Sequence, residues 1–318
     1  MNLQKAQEQL LHWFIQHGRH DLPWRKTTDI YRIYLSETML QQTQVNRVME
    51  EYYPKFLKHF PTLASLGEAP LEEILALWSG LGYYSRAKNM HETAKICKTA
   101  LPDDFKELQK LPGIGRYTAS AICSFGYNQC VPVVDTNIKR VLRRFFALQP
   151  TNDKTVWEKA ELFLNRSRPK EHNLALMDLG SMVCTPKSPE CDLCPLHAHC
   201  QGKNDPESFT QTKKKEYISM ELFFGVNIQN KKVAMTPSQG SMYKGMLLLP
   251  QIDPIEENFL GSYKHAYTKY RLKVNLYKSE YIPENVVWVD LESFLEGHYP
   301  SLVKKGFKFF SKAHQATM

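Results

Sequence analysis

A chain of 318 residues exceeds what one small core needs and implies two domains. With 42% hydrophobic and 23% charged residues the composition is that of an ordinary globular protein, and no apolar run is long enough to span a bilayer. A net charge of +8 suits a polyanionic partner, although many basic proteins bind no nucleic acid.

The N-terminal stretch MNLQKAQEQLLHWFIQHGRH carries an amphipathic apolar pattern and lacks the uncharged core of a signal peptide. A cytoplasmic location is therefore expected, nucleoid-associated if the source is bacterial. Apolar residues recur at helical spacing over 3–16, 30–53, 71–79, 85–99, 136–148 and 156–164. Pro54, Pro61, Gly80, Gly82, Pro102, Pro112, Pro132, Pro150 and Pro169 punctuate them. After the polar stretch QGKNDPESFTQTKKKE the texture changes. Residues 221–228, 232–235, 270–277 and 285–289 are rich in β-branched and aromatic side chains and predict short strands. The expected organisation is a mainly α domain over 1–212, a linker at 213–219 and a small α+β domain over 220–318. The N-terminal helix is expected to pack beside the cysteine-rich segment.

Four of the seven cysteines fall within CTPKSPECDLCPLHAHC, spaced C-x6-C-x2-C-x5-C: Cys184, Cys191, Cys194 and Cys200. In a reducing compartment such clustering argues for metal rather than disulfides. Four soft thiolates can close a tetrahedral zinc site or hold an iron–sulfur cluster. Only Cys191 and Cys194 form a zinc-like pair, and the outer two wrap as if around something larger. His197 and His199 read as surface residues. Cys97, Cys123 and Cys130 read as plain core residues.

In LPGIGRYTASAI, Gly113 and Gly115 allow a tight turn before a helix opens at Arg116. Free N–H groups there favour a phosphate, the pattern of a helix-hairpin-helix that grips a DNA backbone. An ordinary helix–helix turn has the same glycines. VPVVDTNIKRVLRRFF places Asp135 at a helix start, where it can cap the helix. Lys139, Arg140, Arg143 and Arg144 then form a basic face for phosphates or for solvent. YLSETMLQQTQV places Glu37 in the first turn of a helix, where it can complement the dipole. Cleaving a glycosidic bond needs an acid for the leaving group and an anion for the sugar cation, and two such carboxylates are at hand. Their spacing in sequence does not decide between these roles.

Taken in order, DLPWR, SETMLQQTQV, WSGLGYYSRAKN, LPGIGRYTA, VVDTNIKR and ALMDLGSMVCTPKSPECDLCPLHAHC resemble the helix-hairpin-helix DNA glycosylases with an iron–sulfur cluster, and among them the adenine DNA glycosylases of the MutY type. The resemblance covers residues 1–200 strongly and 220–318 weakly. It implies a base-excision repair enzyme that flips adenine out of duplex DNA, opposite 8-oxoguanine or guanine, and hydrolyses its N-glycosidic bond. It assigns Glu37 as the acid, Asp135 as the carboxylate facing the sugar, and Tyr117 and Asn137 as their helpers. Leu22, Trp24, Arg25 and Asp178 match the adenine pocket, and Gln42 and Tyr83 match side chains that enter the base stack. Gly113, Gly115 and Arg116 match the backbone grip, and the four clustered cysteines match the ligands of a 4Fe–4S cluster. Residues 220–318 resemble a shortened Nudix-like domain, with His265 in a loop that inspects 8-oxoguanine. No Nudix glutamate motif is present, so no nucleotide hydrolysis is expected.

Two positions and one segment depart from the pattern. Lys264 replaces a small hydroxyl residue, the segment before His265 is short, and Thr136 stands where glycine is common. The endonuclease III type carries a nucleophilic lysine where this chain has Tyr117, and a phenol cannot form a Schiff base. A monofunctional enzyme is therefore expected, with Lys139 as a residual trap. The resemblance further implies a monomer whose abasic product passes to downstream repair enzymes. Two alternatives remain: a bifunctional pyrimidine-lesion glycosylase and a non-catalytic DNA-binding module with a structural metal.

Overall fold

A computed structural model describes residues 2–149, 153–210, 216–240, 242–296 and 299–307. The chain divides into two compact units: Met1–Ala69 with Lys88–Thr212, and Pro70–Ala87 with Lys213–Met318. Residues 70–87 thus group with the C-terminal residues, although they sit in the middle of the helical sequence. Among the described residues no helix is long and apolar enough to cross a membrane.

The first unit is helical. Leu3–His17 starts at Asn2, whose side chain accepts the Lys5 N–H, and buries Ala6, Leu10, Leu11 and Phe14 along one face. That face shares a core with Val141, Leu142, Phe145, Phe163 and Leu179, against which Cys184, Cys194 and Cys200 also pack. The N-terminal helix therefore belongs to the same packed body as the cysteine loop.

Asp29 caps Ile30–Leu40, and Tyr31 and residues 33–39 are buried while Arg32 faces out. The periodic pattern over 30–53 predicts one helix, but the chain breaks at Gln42, whose φ is +58°. It resumes at Val45, passes through a π turn over Val48–Tyr52, and continues as Tyr53–His59. Glutamine is a good helix former, so composition gave no warning of the break. Because the helix starts at Ile30 and stops after Leu40, Glu37 stands in its last turn and not in the expected first turn.

Asp135 caps Thr136–Phe145, accepting the Ile138 N–H at 2.6 Å. This helix does not present the expected basic face. Arg143 and Arg144 are buried and Arg140 is half-buried, each held by protein partners rather than open to solvent. Pro169 opens Pro169–Met182, at the first helical position where its missing N–H costs nothing. Gly180 in that helix lies against Thr136–Phe145, and a Cβ there would stand 2.7 Å from Asn137 Cβ.

The second unit carries the strands β1 (Ile218–Val226), β2 (Ile228–Gln229), β3 (Lys232–Pro237), β4 (Leu247–Leu248), β5 (Phe259–Tyr267), β6 (Tyr270–Lys278) and β7 (Val287–Asp290). One sheet has the order β1-β6-β5, with β1 parallel and β5 antiparallel to β6. In the other, β3 pairs antiparallel with β2, β4 and β7. Leu222, Phe224, Val233, Met235, Leu272, Val274, Phe294 and Leu302 form their shared core, and Tyr84 packs against it from the 70–87 segment. The sequence pattern did not predict β5. The lysine–aromatic stretch 304–312 suits a wet helix face or a DNA-contacting tail by its sequence, and beyond Phe307 it lies outside the described residues.

Candidate active site

Glu37, Tyr117, Asp135 and Asn137 line one cavity of about 510 Å³. Leu22, Trp24, Arg25 and Gln42 line it as well, with Ile33, Phe125, Val134 and Leu174 as further apolar wall. The volume falls within the range of small-molecule sites and admits a purine. Tyr117 Oη donates to Glu37 Oε2 at 2.5 Å.

Glu37 is 6% exposed. Burial pushes its carboxyl up to about 7; Asp135 adds to the rise, while the Tyr117 hydrogen bond and Arg25 oppose it. Its place in the last helical turn works in the same direction, because carbonyl dipoles there disfavour a carboxylate. Dipole complementation, the role a first-turn position would give Glu37, is thus ruled out by the helix that forms. Burial also raises the Asp135 carboxyl, against the Ile138 N–H and the Asn137 amide, which donates to Asp135 Oδ2 at 3.1 Å. Burial and the two carboxylates hold the Tyr117 phenol far above its ordinary value, so it keeps its proton.

Below the cavity Asp178 is fully buried and takes two arginines. Arg25 binds it through both terminal nitrogens, at 2.6 and 2.8 Å, and Arg19 adds its backbone N–H and Nε at 2.9 and 2.7 Å. Burial pulls the Asp178 carboxyl up, but the arginines outweigh it and hold it below the usual range. Sequence reasoning missed Arg19. It lies two residues before DLPWR with nothing local to mark it.

Arg140 was also missed as a structural link. It donates to Asn137 Oδ1 at 3.0 Å, to Gly180 O at 2.6 Å and to Cys184 O at 2.8 Å. The side chain that holds Asp135 is thereby tied to the start of the cysteine loop.

Cys184, Cys191, Cys194 and Cys200 line one small cavity with Arg144, Val183 and His197. Among the described residues no three His, Cys, Asp or Glu groups converge as around a single ion, although thiolate zinc sites need sulfurs within about 2.3 Å of the metal. Arg144, 2% exposed, donates to Cys184 Sγ at 3.3 Å, to Thr185 O at 2.7 Å and to Pro186 O at 3.1 Å. A buried guanidinium bonded to one of four thiols that share a cavity matches the negative charge of a thiolate-ligated cluster. His197 Nδ1 donates to Cys191 O at 2.7 Å, which occupies that nitrogen.

The hairpin exposes Gly113, Gly115 and Arg116 and buries Ile114. Gly113 has φ +73°, and a Cβ there would meet Asn89 Nδ2 at 2.7 Å, so glycine is required on both counts. The Arg116 guanidinium lies over the Trp157 ring at 3.9 Å. Tyr83 and His265 belong to the second unit.

Comparison with known proteins fixes the family. Residues 35–166 match the family described as HhH-GPD superfamily base excision DNA repair protein, and residues 184–200 match the iron–sulfur binding domain of endonuclease III. The adenine DNA glycosylase of Buchnera aphidicola subsp. Baizongia pistaciae is 36% identical over 279 residues, covering 84% of this chain and 79% of its own length. The chain belongs to the adenine DNA glycosylase family. The human adenine DNA glycosylase is 40% identical over 216 residues, 62% of this glycosylase and 39% of the human protein. The solved structure of a thermostable thymine-DNA glycosylase covers 63% of this chain and 97% of its own, with a TM-score of 0.59 and 28% identity. A non-covalent endonuclease III–DNA complex, at TM-score 0.56 and 20% identity over 64% of this chain and 97% of its own, shares the fold. The enzyme is thus a base-excision repair adenine glycosylase with a helical catalytic unit, a strand-containing C-terminal region and a 4Fe–4S cluster. The matched iron–sulfur binding segment contains Cys184, Cys191, Cys194 and Cys200.

Proposed function

We propose that this enzyme excises adenine from duplex DNA where it stands opposite 8-oxoguanine or guanine, leaving an abasic site. The observation that carries the reading is the convergence of Glu37 and Asp135, distant in sequence, on one cavity of purine size. A base inside a duplex is out of reach, so the adenine is flipped into the cavity. Glu37, with its carboxyl near 7, is the acid that protonates adenine N7, and Tyr117 orients it. The bond from the sugar to adenine then breaks, and its electron pair leaves on the protonated base. The Asp135 carboxylate, steadied by Asn137, faces the sugar cation until water adds there. The cluster, held by Cys184, Cys191, Cys194 and Cys200, supplies a rigid anchor for its loop.

Gln42 and Tyr83 are read as wedges in the base stack. Both hold a left-handed backbone, φ +58° and +46°, the kind of strain that concentrates at functional positions. Gly113, Gly115 and Arg116 are read as the phosphate grip. The C-terminal unit is read as a Nudix-like domain in which His265 inspects 8-oxoguanine. Tyr117 carries no amine, and Lys139 is paired with Asp153 at 2.7 Å, which together favour base release without strand cleavage.

The test is single-turnover base release from duplexes carrying adenine opposite 8-oxoguanine, guanine or thymine, and from one carrying an oxidised pyrimidine. Products are resolved with and without alkali. The expected result is fastest release opposite 8-oxoguanine and strand breaks only after alkali. Release of the oxidised pyrimidine, or breaks without alkali, would overturn it.

A further inference from the structure

Three hydrogen bonds converge on the short segment Tyr263–His265 of β5. Tyr263 Oη donates to Leu302 O at 2.7 Å, and Lys305 Nζ donates to Lys264 O at 2.7 Å. Both partners lie on helix 301–307. Gly306 lets that helix approach, since a Cβ there would stand 2.8 Å from Tyr263 Oη. The third bond joins Tyr243 Oη and His265 Nε2 at 2.9 Å. Strand alternation puts Tyr263 and His265 on the inner side of β5 and leaves Lys264 exposed.

Tyr243 is 6% exposed and packs its ring against Tyr267, 4.5 Å between centroids. Burial keeps its phenol protonated, so the hydroxyl has one proton to give. That proton points to His265 Nε2, the hydrogen-bond partner of the hydroxyl. Burial and the nearby Lys305 ammonium hold the imidazole below its ordinary value, so the ring is neutral. Among the described residues Nδ1 makes no hydrogen bond.

We infer that Tyr243 is a positioning residue for opposite-base recognition: its hydroxyl holds His265 in one orientation and in the Nδ1–H tautomer, so that the ring offers a fixed donor at Nδ1. A fixed donor suits an acceptor such as the carbonyl that distinguishes 8-oxoguanine from guanine at C8. This rests on the reading of His265 given above, and no residue of the catalytic cavity takes part in it. Helix 301–307 supplies the rest of the clamp, through Leu302 and Lys305.

The test uses full-length protein. Nitrogen-15 chemical shifts of the His265 ring report its tautomer in the wild type and in Tyr243→Phe. The ratio of adenine-release rates opposite 8-oxoguanine and opposite guanine is measured in both, in His265→Ala and in the double variant. The expected wild-type spectrum shows a protonated Nδ1, lost or mixed in Tyr243→Phe. The rate ratio should fall about fivefold in Tyr243→Phe, the worth of one hydrogen bond. The double variant should be no worse than His265→Ala, since both act through one ring. A protonated Nε2 in the wild type overturns the inference. So does an unchanged ratio in Tyr243→Phe where His265→Ala lowers it. If His265→Ala leaves the ratio unchanged, the reading of His265 itself fails and the specificity role of Tyr243 falls with it.

Discussion

The Tyr117 hydroxyl donates to Glu37 Oε2 at 2.5 Å, joining a phenol that keeps its proton to a carboxyl raised by burial to about 7. The acid form of Glu37 is the one that can protonate a base. Single-turnover adenine release should therefore fall as pH rises through about 7. The Tyr117 bond favours the charged form, so Tyr117→Phe should move that descent upward by about one pH unit, the equivalent of one hydrogen bond. A pH–rate profile of the two proteins checks the direction.

The same shift couples Glu37 to stability. Its folded pKa lies above the ordinary value of 4.5, so the folded state holds the extra proton between about 4.5 and 7. Burial of Glu37 therefore costs nothing below that window and its full penalty above it. A rise of this size corresponds to about 3 kcal/mol. Glu37→Gln should match the wild type in urea unfolding at low pH and exceed it by an amount approaching that figure at pH 8. It should release no adenine at either pH while still binding DNA.

Asp135 has two roles that one substitution separates. Asparagine caps helices about as well as aspartate, so Asp135→Asn should keep the Ile138 bond and lose less than about 1 kcal/mol of stability. It removes the negative charge, and base release should drop on the order of a hundredfold or more. Thermal unfolding beside single-turnover kinetics tests both halves.

Arg144 is surrounded by acceptors: Cys184 Sγ, Thr185 O, Pro186 O, Pro206 O and Thr210 Oγ1. Arg144→Met strips them all at once and should cost about 3 kcal/mol or more. The loop should lose its grip on the cluster, giving a protein with less than one cluster's worth of iron and sulfide per chain. Metal analysis of the purified variant is the check.

The sequence made the cysteine cluster legible by density, the hairpin by its glycines and Asp135 by its place before a helix. Convergence of Glu37 and Asp135 was not legible, because it depends on how two separate helices pack. Periodicity misread Arg143 and Arg144 as a wet face. It assumes that polar residues face water, whereas here Asp153 takes Arg143, and Cys184 with the carbonyls of its loop takes Arg144. β5 escaped notice because Gly261, Ser262 and Lys264 interrupt its pattern, and its order comes from pairing with β6. Arg19 escaped because its partner, Asp178, is remote in sequence.

The left-handed residue at Gln42 has one more result. By stopping Ile30–Leu40 just past Glu37, it places that side chain at the electronegative end of a helix instead of in its middle. Part of the acidity setting is thereby built into the main chain. Substituting any one neighbour of Glu37 would shift its titration without returning it to that of a carboxyl in water.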